Sequence, residues 1–365
     1  MKNDRQNEDE KRILTGKYEK MNDFYQESIK KYADSVRAFI CGDEYGKIFE
    51  DVNGRYLFDN YFDYFAKHTV RGKFLRAYFV DLFYRLFGGK TSGETVLVAA
   101  AFETFESAVL MHDDVIDRSE TRRGFPSAFV ALGDGHVGRS RAICLGDAGL
   151  FTSIALLDRD GVPESLRRFA TNIFLRTVSG EIEDVDLAER NEIADNEVIA
   201  AYIEKTATYT VLGPAVGGAL LAGVPEEKAK AALSDFSYDA GVAFQIKDDI
   251  LGIYGNRSAL GKKDSDVDEG KKSLLFSHFV RTAGDEEKRE FFSIYGKGLG
   301  DESKNARVRE LFENAGSRAF AEKAMNEKFD SAGRELERIF EDTGASDELK
   351  NEARELLAFL RTREK

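Results

Sequence analysis

Two aspartate-rich segments contain the residues of this chain that are best suited to chemistry. The first contains Asp113, Asp114 and Asp117, and the second contains Asp248 and Asp249. On a helix, residues four apart share a face, so Asp113 and Asp117 are expected to point the same way. Neighbouring carboxylates repel one another unless a cation lies between them, and oxygen ligands suit a hard ion such as Mg²⁺. The spacing therefore predicts a divalent-metal site built from both segments.

Cationic side chains accompany both acidic segments. Arg122 and Arg123 follow the first segment, and their guanidinium groups can each bind two phosphate oxygens. Lys262 and Lys271 lie in the polar stretch after the second segment and are predicted phosphate ligands. A diphosphate binds both Mg²⁺ and these cations, so it is the expected class of ligand.

Two further groups of acids need an interpretation. Residues 264–268 carry alternating aspartates like a calcium loop, but Glu269 replaces the turn glycine and Leu275 replaces the bidentate acid. The calcium interpretation is therefore rejected. The acids of residues 180–184 project from a predicted helix, where they either support a metal site from outside or form a solvated face.

Helices must position these side chains. The chain has only four prolines, and its apolar residues follow helical spacing, with no strong hairpin signal and no repeat. The Gly-Val-Pro-Glu sequences at 161–164 and 223–226 predict a helix end followed by a helix start. Helices are predicted over residues 24–39, 74–87, 95–117, 144–157, 165–188, 196–221, 226–252, 274–292, 306–315, 319–340 and 347–361, with loops over 133–139 and 256–272. The expected fold class is all-α, a single large many-helix bundle.

Bulk properties exclude several classes of protein. The net charge of -13 argues against binding to nucleic acid or to an anionic membrane. Two cysteines do not make a disulfide framework, and neither a signal peptide nor a transmembrane segment is recognised, so a cytoplasmic location is expected. Residues 1–20 are predicted to be a charged arm, and residues 21–365 one helical domain.

Five elements in this order resemble the trans-type isoprenyl diphosphate synthases, the family of farnesyl and geranylgeranyl diphosphate synthases. The resemblance spans roughly residues 68–275. The first aspartate-rich motif appears at 113–117 with the arginine pair at 122–123, and the second at 245–249. The remaining matches are Gly72-Lys73-x-x-Arg76, Lys205-Thr206 and the loop residues Lys262, Asp266 and Lys271. The resemblance implies a helical bundle around a central cavity and a homodimer.

The resemblance also implies a reaction and a role for each residue. The reaction is the Mg²⁺-dependent head-to-tail (1′-4) condensation of isopentenyl diphosphate with C5 to C15 allylic diphosphates. Three Mg²⁺ ions are expected, two on Asp113 and Asp117 and one on Asp248, with Asp114 and Asp249 in support. The allylic diphosphate would be bound by Arg122, Lys205, Lys262 and Lys271, and isopentenyl diphosphate by Lys73, Arg76 and Arg123. Thr206 and Gln245 would direct oxygen atoms at the developing carbocation.

Three positions depart from the family pattern. Ala77 replaces a proline, and Glu106 replaces a histidine or glutamine that touches isopentenyl diphosphate. An acid at position 106 is expected to repel a diphosphate unless it is protonated or bridged by metal. Gly252 replaces the third acid of the second motif, as it does in some branches of the family.

The product length is expected to depend on the helix before Asp113. Bulky aromatics four and five residues before the motif stop growth at C15 in this family, but Val109 and Ala108 are small. Phe105, with Phe102 beyond it, is the expected floor. The predicted product is the C20 geranylgeranyl diphosphate, with a C15 or a C25 and longer synthase as the alternative.

Two other functions fit the motifs less well. A class I terpene cyclase requires Ser or Thr at 252 and Glu at 256, where Gly252 and Asn256 stand, and has no use for Lys73 and Arg76. A non-catalytic regulatory subunit would be expected to lack one aspartate-rich motif, yet both are substantially present.

Overall fold

The computed structural model describes residues 24, 28–133, 135–255, 266–298 and 300–363. Helices account for nearly all of the regular structure in these residues, which confirms the all-α prediction. The predicted arm at 1–20 and the predicted ligand Lys262 lie outside the described residues.

The helices and strands follow one another in this order: α1 (Lys30–Ile40), α2 (Asp43–Asn53), α3 (Arg55–Thr69), α4 (Leu75–Leu86), α5 (Gly93–Ile116), β1 (Thr121–Arg122), β2 (Phe125–Pro126), α6 (Ala128–Ala131), α7 (Gly135–Leu157), α8 (Glu164–Ala188), α9 (Asp195–Ala201), a π-helix (Tyr202–Leu212), α10 (Gly213–Leu221), α11 (Glu226–Tyr254), α12 (Asp266–Glu269), α13 (Leu274–Thr282), α14 (Asp285–Ile294), α15 (Glu302–Asn314), α16 (Ser317–Thr343) and α17 (Asp347–Thr362).

Two predicted helix boundaries are confirmed in detail. Gly161 and Gly223 have φ angles of 88° and 85°, the left-handed conformation that glycine adopts without strain. Pro163 and Pro225 then cap α8 and α11, because a proline has no N–H that the first helical turn would leave unbonded.

Other boundaries differ from the prediction. The loop predicted over 133–139 is wrong from Gly135 onwards, since α7 begins there. A Cβ at Gly138 would lie 1.9 Å from the Phe129 carbonyl oxygen, so this glycine permits close packing rather than a turn. The helix predicted over 196–221 contains an 11-residue π-helical segment, and the helix predicted over 274–292 is two helices. Gly284 begins the second of these two helices, and its backbone N–H donates to the Glu287 carboxylate at 2.9 Å, so a local glycine cap marks the break.

A cavity of about 880 Å³ lies among α4, α5, α8, the π-helix and α11. Helices α4 and α5 pack against each other, the π-helix packs on α8 and α11, and α7 packs on α5. The C-terminal helices α16 and α17 pack on α11. The ends of α5 and α11, which carry the two aspartate-rich segments, therefore meet at one cavity.

Two helices in the described part of the chain, α5 and α7, are long and apolar enough to cross a membrane by length and composition alone. Their most apolar 18-residue windows are 78% buried for α5 and 50% buried for α7. Such helices are weak evidence for a membrane segment. The unburied side of α7 and the neighbouring face of α8 leave apolar side chains exposed, including Phe151, Leu175 and Ile182.

Candidate active site

The first aspartate-rich segment ends α5 at the cavity. Asp113 and Asp117 line the cavity, as their spacing predicts. Asp114 is fully buried and does not line it. Its carboxylate instead accepts a hydrogen bond of 2.7 Å from Nε of Arg122. Asp114 therefore holds the Arg122 side chain and does not face the cavity.

A small hairpin that the sequence did not predict aims the two arginines. Strands β1 and β2 pair Thr121 with Pro126, and the turn consists of Arg123 and Gly124 with φ angles of 55° and 79°. Positive φ at both central residues is typical of a type I′ turn, and it strains a non-glycine residue. Arg122 reaches Asp113 at 2.7 Å, while Arg123 reaches Glu106 at 2.9 Å. The turn thus sends neighbouring arginines to two different acids.

Lys205 lies among three carboxylates at the cavity wall. Its Nζ is 2.7 Å from Asp184, 3.1 Å from Glu181 and 3.4 Å from Asp113. Burial by itself lowers the pKa of Lys205, but these acids raise it well above its ordinary value. A Cβ at Gly180 would lie 2.4 Å from the backbone nitrogen of Lys205, so α8 passes directly over the π-helix here. Glu181 and Asp184 are therefore part of the site and not a solvated face.

The second aspartate-rich segment belongs to a buried network. Thr206 donates to Gln245 at 2.7 Å, and Gln245 donates to Asp249 at 2.9 Å. Asp249 also accepts hydrogen bonds from the Tyr202 hydroxyl and, at 2.8 Å, from the Lys271 ammonium group. Burial raises the pKa of Asp249, and the Lys271 charge opposes that rise. Asp249 does not line the cavity, so it orients its neighbours, whereas Thr206, Gln245 and Lys271 do line it.

Asp248 faces the cavity from the opposite side, with 38% of its side chain exposed. Its carboxylate accepts a hydrogen bond of 2.6 Å from Arg363, whose guanidinium group lies 3.8 Å from the Phe244 ring centre. Arg363 also lines the cavity and is 6% exposed. Sequence reasoning missed Arg363, because no local pattern links it to a segment more than 100 residues away.

A second group of cations lines the cavity beside α5. It contains the predicted residues Lys73, Arg76 and Arg123, together with Arg71, which was not predicted. Arg76 is buried against the Tyr209 ring at 4.3 Å and donates to Thr210 at 2.8 Å. Its Nη1 lies 2.7 Å from Glu106, which also accepts from Arg123. Glu106 is therefore neutralised by two guanidinium groups, an arrangement that the sequence analysis did not consider.

Two acids about one turn apart on α5, Glu103 and Glu106, have pKa values that are shifted in opposite directions. Burial alone raises the pKa of Glu106, but Arg76 and Arg123 lower it below its ordinary value. Burial and the nearby Glu106 charge raise the pKa of Glu103. Glu103 accepts a hydrogen bond of 2.9 Å from the Ala77 backbone nitrogen, which is available because position 77 is not proline.

The apolar part of the cavity lies between α5, α7 and α8. Val109, Leu110, Ile143, Val178 and Ile182 line it. Ala108 is fully buried and is not part of the lining. Phe105 is buried with its ring stacked 3.8 Å from Phe174, and it contacts the cavity-lining Tyr209 ring at 5.8 Å. Phe105 thus lies one layer behind the cavity wall.

The acids that line the cavity fit Mg²⁺ by their chemistry. Among the described residues, no three His, Cys, Asp or Glu side chains converge closely enough to enclose an ion by themselves. Mg²⁺ usually keeps several waters and binds through one or two carboxylates plus phosphate oxygens. Asp113 and Asp117 from α5 and Asp248 from α11 line the cavity and would provide that kind of partial coordination.

Comparisons with known proteins show the family to which this chain belongs. The polyprenyl synthetase family model matches residues 57–314. A short chain isoprenyl diphosphate synthase of Methanothermobacter thermautotrophicus is 30% identical over 285 residues, 77% of this chain and 84% of that protein. A geranylgeranyl diphosphate synthase of Sulfolobus acidocaldarius is 30% identical over 301 residues, 80% and 83% of the two chains.

A solved structure shows the same fold. The crystal structure of geranylgeranyl pyrophosphate synthase from Corynebacterium glutamicum, complexed with isoprenyl diphosphate and magnesium, has a TM-score of 0.79 and 23% identity, covering 92% of this chain and 99% of that chain. The family match contains every predicted site residue and extends beyond the 68–275 resemblance, which confirms the prediction of a prenyltransferase. This chain belongs to the polyprenyl synthetase family.

Proposed function

We propose that this protein catalyses the Mg²⁺-dependent condensation of isopentenyl diphosphate with an allylic diphosphate, giving all-trans geranylgeranyl diphosphate. The proposal rests on one feature of the cavity, which has a group of cationic side chains at each of two ends. Glu106, at the second end, precedes Asp113 by seven residues, roughly 10 Å along a helix. Two diphosphates can therefore bind with their hydrocarbon parts side by side.

The residues at the aspartate end bind the allylic diphosphate. Lys205 and Arg122 are held by acids at that end, and Lys271 is held by Asp249. Asp113, Asp117 and Asp248 would hold three Mg²⁺ ions, which supply positive charge to the departing diphosphate. The crystallised Corynebacterium glutamicum synthase, described with magnesium and isoprenyl diphosphate, supports the choice of metal.

The reaction proceeds by loss of diphosphate and capture of the cation. The C1–O bond of the allylic substrate breaks, and its electron pair leaves with the diphosphate. The double bond of isopentenyl diphosphate, held by Lys73, Arg76 and Arg123, attacks C1 through C4. A proton is then lost from C2 to the released diphosphate, which forms the new double bond. The oxygen atoms of Thr206 and Gln245, which hydrogen-bond to each other, stabilise the carbocation.

The C20 product is inferred from the apolar end of the cavity. Val109 adds little bulk there. Deeper along α5, the Phe105 ring stacks on Phe174 and meets the Tyr209 ring edge to face. The relatives include a geranylgeranyl diphosphate synthase and a short chain isoprenyl diphosphate synthase, which supports a product of this size.

We also propose a cytoplasmic homodimer as the working form. The exposed apolar side chains on α7 and α8 form a surface that a second copy would cover, since large exposed apolar patches commonly mark interfaces. Analytical ultracentrifugation of the wild-type protein and of a Leu175→Lys variant tests this assembly, because Leu175 is exposed and does not line the cavity. A monomeric wild-type protein at micromolar concentration contradicts it.

Product analysis is the test of function. Purified protein is incubated with Mg²⁺, isopentenyl diphosphate and each of the C5, C10 and C15 allylic diphosphates, and the dephosphorylated products are sized by chromatography with mass detection. A C20 alcohol that disappears in Asp113→Ala is the expected result. A longer or shorter alcohol keeps the reaction and changes the product. No elongation, or a hydrocarbon from a C15 or C20 substrate, indicates a regulatory subunit or a terpene cyclase.

A further inference from the structure

A buried acid, Glu106, lies among the cations where the second substrate is expected to bind. Oε1 of Glu106 lies 2.7 Å from Nη1 of Arg76 and 2.9 Å from Nη2 of Arg123. Both arginines and Glu106 line the cavity. The carboxylate therefore uses the N–H groups that a bound phosphate would use.

The donors around Glu106 are only partly satisfied. The remaining terminal nitrogen of Arg76 donates to Thr210 at 2.8 Å, while its Nε is buried without a hydrogen-bond partner. A buried unpaired donor costs free energy, so this guanidinium group retains capacity for another acceptor. Together with Arg71 and Lys73, these groups form a cluster of four cations and one acid.

We propose that Glu106 is a specificity-determining residue that acts as an internal anion in the second diphosphate subsite. It satisfies Arg76 and Arg123 when the subsite is empty and competes with the incoming diphosphate when the substrate arrives. This inference rests on the proposed function, because it assumes that the diphosphate bound here is that of isopentenyl diphosphate.

Competition has two linked consequences. Glu106 stabilises the unliganded protein, because without it two nearby guanidinium groups lose their shared carboxylate. Glu106 also weakens diphosphate binding, because the ligand must displace it or approach its negative charge. Removing the charge should therefore lower the stability of the free protein and increase the stabilisation produced by the ligand.

The test compares the wild-type protein with Glu106→Gln. Isopentenyl diphosphate, which cannot ionise to an allylic cation, is titrated into the protein by calorimetry. EDTA is present, so that no divalent ions bind a diphosphate at the aspartate end. The expected result is binding about tenfold tighter in E106Q, given the removal of one nearby unit charge. E106Q should also have a lower Tm without ligand and a larger rise in Tm with it.

Glu352→Gln is the matched control. Glu352 also forms an arginine–carboxylate pair, 2.6 Å from Arg85, but it does not line the cavity. E352Q should lower the Tm without changing the affinity for isopentenyl diphosphate. If E106Q does not fold, Glu106→Asp, which is one methylene shorter, should tighten binding in the same direction by a smaller factor.

Two outcomes would overturn the inference, and they differ in meaning. Equal or weaker binding in E106Q means that Glu106 only positions the arginines, and the proposed function is unaffected. No binding to either protein removes both the inference and the assignment of the second subsite. Elongation activity of the wild-type protein, measured separately, tells whether the proposed function fails as well.

Discussion

The guanidinium group of Arg363 donates a hydrogen bond to the carboxylate of Asp248, with 2.6 Å between Nη2 and Oδ1. A second hydrogen bond of 3.2 Å to the Phe244 carbonyl oxygen fixes the same nitrogen. Arg363 follows α17 directly, so the end of this helix reaches a proposed metal ligand. In this arrangement the arginine supplies the positive charge that Asp248 would otherwise obtain from a metal ion.

Replacing Arg363 is expected to strengthen metal binding. In Arg363→Gln, a metal ion no longer has to break the Arg363–Asp248 ion pair in order to bind Asp248. Mn²⁺ binding without substrate should therefore tighten about 3- to 10-fold. Electron paramagnetic resonance of free Mn²⁺ measures this affinity. Arg361→Gln is the matched control, because Arg361 pairs with Asp330 away from the cavity. Unchanged or weaker Mn²⁺ binding in R363Q contradicts the expectation.

Completing the second aspartate motif is expected to lower the activity of the protein. A Cβ at Gly252 would lie 2.1 Å from Oδ2 of Asp266, so the Asp266 carboxylate fills the space of the absent third acid. Nζ of Lys271 lies 3.9 Å from Oδ2 of Asp266 and 2.8 Å from Oδ1 of Asp249. Gly252→Asp should displace Asp266 and lower kcat at least about tenfold, by misplacing Lys271.

A compensating variant tests the same pair. In Gly252→Asp with Asp266→Ala, the acid moves from one residue to the other, and part of the lost activity should return. Steady-state kinetics of both single variants and the double variant, analysed as a cycle, measure the coupling. Full activity of G252D alone, or strictly additive losses, would show that the two positions are independent.

Removing the Lys205 charge is expected to affect both stability and catalysis. Lys205→Met leaves Asp113, Glu181 and Asp184 without their shared cation, so the Tm without metal should fall, and Mg²⁺ should raise it more than in the wild type. The kcat should drop about 10²- to 10³-fold, as for loss of one transition-state donor. Lys205→Arg, which keeps the charge, is the control. Near-normal kcat in K205M would remove Lys205 from the diphosphate site.

Shortening Phe105 is expected to lengthen the product. Its ring supports the deep aromatic layer through Phe174 and Tyr209, and its loss opens space beyond them. Because Phe105→Ala in a core costs about 3–5 kcal/mol, Phe105→Leu should be assayed beside it at low temperature. Mass analysis of dephosphorylated products should show C25 or longer chains. An unchanged product distribution would exclude Phe105 as the floor.

Enlarging Val109 is expected to have the opposite effect. Val109 lines the apolar part of the cavity, so a phenyl ring there should fill the path of the growing chain. Val109→Phe should shift the product from C20 to C15, measured by the same product analysis. Val109→Ile adds a single carbon and should leave C20 dominant. C20 as the main product of V109F would place the growing chain elsewhere.

The sequence by itself determined that two acids share a helix face and where two helices end. The four-residue spacing of Asp113 and Asp117 specified a shared helix face, and both residues do line the cavity. The Gly-Val-Pro-Glu sequences specified two helix boundaries, because glycine and proline restrict the backbone locally. Such features are readable because each depends on a few consecutive residues.

Tertiary structure alone decided which charged side chains pair with one another. Arg363 meets Asp248 across 115 residues, Lys205 meets Asp184 across 21, and Asp266 occupies the space above Gly252. Tertiary packing also turned Asp114 and Asp249 away from the cavity and placed Glu106 between two arginines. Helical periodicity specifies the faces of each helix, but which faces meet depends on how distant helices pack, and that determines the charge balance of the site.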